Sequence, residues 1–293
     1  SPLESGGWLA WPILLLAMFV TARRFARDQW ELGRLFLPAT VWVTAIFVGL
    51  LLSYHVRAID GLGGSWALVA KTAGVMGVAA FVLRRVRRDD RDEISQIYRR
   101  WSVGGLMVLL ALWFLRTNFF ANGDSFPVPF APLANPLDIG LGLVLCCIGF
   151  WAKENERPML LVLPPMAFLW INGMLARSVH QFAGIPWQGQ ALWDSDAMQM
   201  AVSVTWTIIG LGTVLWATRH KIRLVWFVGA VLLGVVVGKL FLIDMAHLNT
   251  VIKIITFLVV GALLLVVGFF SPMPPSAPET SPTVDPNEVE ELS

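Results

Sequence analysis

The stretch that decides the fold is GSWALVAKTAGVMGVAAFVL (64–83), then RRVRRDDRDEISQIYRR (84–100), then SVGGLMVLLALWFLRTN (102–118). Two apolar runs of nearly 20 residues flank a short segment carrying seven Arg, Asp89, Asp90, Asp92 and Glu93. A run of about 20 apolar residues matches the hydrocarbon thickness of a bilayer, and clustered arginines between two such runs mark a cytoplasmic loop. The same alternation continues in both directions, over spans expected near 7–22, 36–54, 64–83, 102–118, 137–152, 158–176, 197–217, 222–243 and 251–271.

Bulk composition agrees. Of 293 residues, 56% are hydrophobic and 14% charged, against about a quarter charged in soluble domains. The mean hydropathy is +0.67. Such a chain lacks the polar groups to cover a water-facing surface, so it predicts an all-α polytopic membrane bundle. Several of the 14 Trp, among them Trp8, Trp66, Trp101 and Trp151, fall near span ends, where aromatic rings anchor helices at headgroup level.

Charge tests the count of nine. Odd-numbered loops hold sixteen of the 22 basic residues: Arg23, Arg24, Arg27 and Arg34; the seven of 84–100; Lys153 and Arg157; Arg219, Lys221 and Arg223. Even-numbered loops hold Arg57, Arg116, Arg177 and Lys253, while Lys71 and Lys239 lie inside spans. The positive-inside rule then puts the odd loops and the C-terminus in the cytoplasm and the N-terminus outside. Beyond the membrane domain, 1–271, residues 272–293 read as a disordered, acidic, Pro-rich tail. The chain opens Ser1-Pro2-Leu3 without an initiator Met, as a fragment or processed product would.

Polar residues concentrate on the outer side. The segments 116–136 and 177–196 are long and too apolar for free aqueous loops, so they are expected on or within the outer surface of the bundle, as a lid or an interfacial loop. Pro164-Pro165 predicts a kink within the sixth span. Beyond it, Asn172, Arg177 and His180 near one mouth would suit a carboxylate or phosphate, unless Arg177 snorkels to headgroups. The hairpin GKLFLIDMAHLNTVIK (238–253) adds Lys239, Asp244, His247 and Lys253 to the candidate ligand-binding set, since ionisable groups at membrane depth are functional candidates. Asn135-Pro136 reads as a helix cap, with Asp138 favouring the helix dipole, and Asp196 with Gln199 has capping-box spacing. Lys71 has no visible partner.

Signatures of metal, nucleotide or hydrolase chemistry are missing: no HExxH, GxSxG, Walker loop or GxGxxG occurs. Adjacent Cys146 and Cys147 suit neither a disulfide nor a metal site and read as packing residues. No cofactor is expected, nor a nucleic-acid partner. Three classes of function stay open: binding or transport of an anionic, lipid-linked envelope molecule; a scaffold for membrane protein partners; and an intramembrane transferase with a His base.

The motifs PFAPLANPLDI (129–139), FLWINGMLARSVHQFAGIPW (168–187), SDAMQMAVSVTW (195–206), KLFLIDM (239–245) and KIITFLVVGALLLVVGFFSPMPP (253–275) resemble the C-terminal part of a bacterial membrane protein family, domain of unknown function 2339. The resemblance runs over roughly 100–275. It implies a multi-pass protein of the bacterial inner membrane and favours Asn172, Arg177, His180, Lys239, Phe241 and Asp244 at matching positions. Lys253 stands where the family often has Arg, and Thr256 where it often has Ser. It implies no activity.

Overall fold

The structure, a computed structural model, describes residues 6–28, 30–86 and 93–241, with the single positions 254, 258, 261 and 265. Ten α-helices follow in order: α1 Gly7–Asp28, α2 Trp30–Arg57, α3 Gly64–Arg85, α4 Glu93–Gln96, α5 Val103–Phe120, α6 Pro136–Asn155, α7 Leu163–Ala183, α8 Gly189–Trp193, α9 Asp196–His220 and α10 Arg223–Lys239. Among the described residues there is no strand. Six helical segments among the described residues are long and apolar enough to cross a membrane: Leu35–Arg57, Gly64–Arg85, Ile97–Phe120, Pro136–Asn155, Arg157–Ala183 and Asp196–His220. The helix expected as the first span forms as α1 but is not among them. The eighth span is described as far as Phe241; most of the ninth and the whole tail lie outside the described residues.

The chain divides into two units, at Met198 and Gln199. In the first, α5 is the central post. Val103, Leu106, Leu110 and Phe114 are buried along it, packed with Ala79 and Val82 of α3 and with Leu137, Leu141, Val144 and Ile148 of α6. Apolar packing gains little over lipid contact, so close approach at small residues decides which helices meet. A Cβ on Gly74 of α3 would lie 2.8 Å from the Cα of Gly49 on α2, and one on Gly140 of α6 would lie 2.9 Å from Val69. Apolar side chains of the rim point outward instead: Phe150 is 77% exposed and Leu161 79%. A bilayer satisfies that belt and water does not.

At the Arg-rich end, α4 runs through a π-helical turn, Ile97–Ser102, into α5. Wider winding changes which carbonyls are accessible, and two indoles use them. Trp42 Nε1 donates to Ser102 O at 2.8 Å, and Trp151 Nε1 to Arg99 O at 2.9 Å. Gly104 and Gly105 leave room for those rings. Arg99–Glu154 (3.5 Å) and Arg100–Glu156 (3.8 Å) tie the same turn to the end of α6 and the residue after it.

The sixth span differs from the expected mid-helix kink. Arg157–Val162 winds as a 3₁₀ helix, and α7 begins at Leu163, so Pro164 and Pro165 occupy its first turn. There a missing N–H costs nothing, because the first amides of a helix have no intrahelical acceptor. The helix then runs past 176 to Ala183 and ends on Gly184 at φ +67°, the left-handed cap that glycine favours.

In the second unit, α9 and α10 pack where Gly210 meets Leu233 and Gly229 meets Val214. The start of α9 is capped by Ser195, whose Oγ accepts from Met198 N at 3.4 Å; Asp196 is the first helical residue.

Candidate functional site

Of the expected site residues, the four that the structure describes, Asn172, Arg177, His180 and Lys239, have partners within the protein. Arg177 is fully buried. Its Nη2 lies 2.6 Å from Asp138 Oδ1, and its Nη1 donates to Asn118 O at 3.3 Å. Asn118 Nδ2 donates to Leu169 O at 2.8 Å. The Asn135 cap forms as the sequence predicts, with its side chain accepting from Asp138 N at 3.0 Å and Pro136 in the first turn. Asn135 Nδ2 also donates to the Asp138 carboxylate. Asp138 therefore does more than favour the helix dipole: it neutralises a buried guanidinium. Arg177 does not snorkel, and its strongest contact is already made within the protein.

That pair fastens the loop 121–135. Gly123, at φ +81°, lies so close to Arg177 that a Cβ would come 2.9 Å from Arg177 Cδ. The loop also caps α3. Gly63 N donates to Phe126 O at 2.8 Å, Ser65 N to Asp124 O at 3.1 Å, and the Asp124 carboxylate faces Gly64 N at 3.4 Å. An anionic side chain at a helix N-terminus is stabilising there. Trp66 Nε1 holds Ser125 O at 3.2 Å. The loop is thus folded onto the bundle.

Asn172 Nδ2 donates to Phe168 O, one turn back, at 2.8 Å. His180 Nδ1 is 2.6 Å from Ile185 O, with its ring edge-on to Trp187. In the second unit, Lys239 Nζ donates to Ser203 Oγ at 2.8 Å and to Gln199 O at 3.3 Å. Asp244, His247 and Lys253 lie outside the described residues. Cys146 and Cys147 are free thiols, Cys147 lying 3.5 Å from Met76 sulfur.

Sequence reasoning missed a cavity of about 540 Å³ at the loop end of α2, α3 and α5. Ser53, Tyr54 and Arg57 line it from α2, Leu68 and Lys71 from α3, and Trp113, Arg116, Thr117 and Phe120 from α5. Each set follows helical spacing, so three faces converge. Gly49 of α2 and Gly74 of α3 meet deeper in the bundle. Arg57 and Arg116 are exposed and Lys71 is half-buried. No Asp or Glu lines the cavity. The ion pairs found among the described residues, Arg99–Glu154, Arg100–Glu156 and Arg177–Asp138, use none of its three cations. Trp113 Nε1 is buried with no acceptor among the described residues. Sequence shows only the spacing within each helix, Arg57 at i+7 from Leu50 and Arg116 at i+3 from Trp113; that these faces and Lys71 line one cavity comes from the structure.

Comparison with known proteins bears on identity at this point. A family model described as "Predicted membrane protein (DUF2339)" matches residues 3–274. The chain belongs to this family. The match extends well beyond the 100–275 over which the motifs resemble it, so α1 to α4 are family structure as well. No curated protein and no solved structure matches the chain. Membership makes it a multi-pass membrane protein of unknown molecular function and attaches no chemistry to any residue.

Proposed function

We propose that this protein binds an anionic, lipid-linked envelope molecule in the cavity between α2, α3 and α5, from the outer face of a bacterial inner membrane. The observation that carries this reading is three cations, Arg57, Lys71 and Arg116, converging on one cavity that holds no carboxylate. Charge at membrane depth is costly unless a partner or water compensates it. An anionic headgroup supplies that compensation, and the walls formed by Leu50, Leu68 and Phe120 suit an adjoining acyl chain. In this reading the chain crosses the membrane nine times, with its N-terminus outside and its tail in the cytoplasm. The sixteen-to-four split of basic residues supports that orientation. Arg177 then serves the site indirectly, by holding the loop 121–135 that follows α5.

The test is native mass spectrometry of protein released from nanodiscs of phosphatidylethanolamine with added phosphatidylglycerol. Each cation near a membrane surface contributes about 1 kcal/mol toward an anionic lipid. Losing two in Arg57→Gln/Arg116→Gln is expected to weaken phosphatidylglycerol retention roughly 30-fold. Equal retention by wild type and the double variant would remove the cavity from consideration.

A further inference from the structure

The geometry points to a second lipid site at the Arg-rich end of the first unit, where one phosphatidylethanolamine lays an acyl chain along α5 and sets its phosphate and ammonium on Arg100 and Glu156. The furrow that would take the chain measures about 750 Å³ and shares no residue with the cavity between α2, α3 and α5. Gly104 and Gly105 floor it, and it continues along Val108 and Leu112. Two indoles wall it. A Cβ on Gly105 would lie 2.3 Å from the ring of Trp42 on α2, and one on Gly104 would lie 2.9 Å from that of Trp151 on α6. Carbonyls of the π-turn hold both rings, Ser102 O taking the Trp42 N–H and Arg99 O that of Trp151. The walls are therefore set by the fold.

The furrow suits an acyl chain in length and access. From Gly104 to Leu112 the helix rises about 12 Å, within the half of a roughly 30 Å hydrocarbon core that one leaflet fills. Val108 and Leu112 are exposed along it, so a chain enters sideways from the bilayer. A second hollow of about 500 Å³ meets the furrow at Trp42, Arg100 and Trp101, leaving room beside Arg100 for the rest of the lipid.

Charge at the rim selects the headgroup. Arg100 and Glu156 both line the furrow, with Arg100 Nε 3.8 Å from Glu156 Oε1 and the side chains 60% and 45% exposed. An exposed pair contributes little to stability, so a ligand separates it at small cost. A guanidinium donates to phosphate, and a carboxylate accepts from a primary ammonium. Phosphatidylethanolamine carries those two charges a short linker apart, opposite in sign to the pair they meet. Phosphatidylglycerol brings nothing cationic to Glu156, and the quaternary ammonium of phosphatidylcholine has no N–H to donate. A smooth apolar helix face would take all three alike.

The experiment reads position. Phosphatidylethanolamine, phosphatidylglycerol and phosphatidylcholine, each with a diazirine on one acyl chain, are compared at equal mole fraction in nanodiscs, and the crosslinked peptides are quantified by mass spectrometry. The phosphatidylethanolamine probe should label residues 104–112 and Met159 roughly three- to fivefold more than the other two, the size of one exposed charge contact. Glu156→Gln should erase that preference and Glu156→Asp should keep it. Equal labelling by the three probes in wild type, strongest labelling by phosphatidylglycerol, or a preference that survives Glu156→Gln overturns the inference. The wild-type order alone decides it if Glu156→Gln fails to fold. Labelling of the furrow in Arg57→Gln/Arg116→Gln should match wild type, so the furrow and the anion cavity can each fail without the other.

Discussion

Arg177 and the trio Arg57, Lys71 and Arg116 lie toward the same end of the first unit and solve the same electrostatic problem in opposite ways. Arg177 is fully buried and has a carboxylate 2.6 Å away, itself fixed by Asn135. The other three line an open cavity and make no ion pair among the described residues. A compensated cation inside a bundle is a fastening, because its partners are fixed before any ligand arrives. An uncompensated set at a cavity is a vacancy in charge, which only something from outside the chain can fill. Sequence places Arg57, Arg116 and Arg177 in even-numbered loops and Lys71 inside a span, but partners are what separate Arg177 from the other three.

The largest effect should come from breaking the fastening. Asp138→Ala leaves the Arg177 guanidinium buried against Asn118 alone, and removing one partner of a buried pair costs about 3–5 kcal/mol. The variant is expected to lose most of its folded yield, or to unfold at markedly lower denaturant in detergent. Replacing both partners, Asp138→Leu with Arg177→Met, should recover much of that loss, since two apolar side chains can fill the space without an orphaned charge. If Asp138→Ala were as stable as wild type, Arg177 would have another outlet for its charge, and the contrast with the cavity would collapse.

How much of this was legible in the sequence follows from the same distinction. Apolar length and the 84–100 arginines gave the helices, because both are one-dimensional signals. The Asn135-Pro136 cap was readable for the same reason: its partner, Asp138, is three residues away. Arg177 and Asp138 are 39 residues apart, and Lys71 meets Arg57 and Arg116 only once three helices are set side by side. Pairing at that range depends on helix rotation, which the small contacts at Gly49, Gly74 and Gly140 fix. The Pro164-Pro165 kink failed for a different reason. A 3₁₀ turn at Arg157–Val162 moves the α-helix start to Leu163, and hydropathy does not distinguish 3₁₀ from α winding.

A smaller effect sharpens the fastening side. A Cβ on Gly173 would lie 2.1 Å from Asn118 Oδ1, and Asn118 is buried with its amide held by Leu169 O. Gly173→Ala should therefore push Asn118 off both Leu169 O and Arg177, a repacking worth about 1–3 kcal/mol. Chemical denaturation in detergent measures it. An unchanged midpoint would mean that α5 and α7 part without cost, and that the Arg177 network does not hold them at a fixed distance.

The smallest effect carries the other half of the comparison. Arg57 and Arg116 are exposed at the cavity mouth and support no ion pair among the described residues. Arg57→Gln and Arg116→Gln should each shift stability by no more than about 0.5 kcal/mol, the usual range for surface positions. The sign should lean toward stabilisation, because each change relieves repulsion among three like charges around one cavity. Thermal unfolding in lipid-free detergent is the proper condition, since a bound anion would add its own binding energy to the wild type alone. A cost above about 1.5 kcal/mol without lipid would mean these cations hold the fold together, as Arg177 does. Near-zero cost without lipid and a clear wild-type gain when anionic lipid is added back is the pattern of a binding site, since stability then follows the ligand and not the side chain.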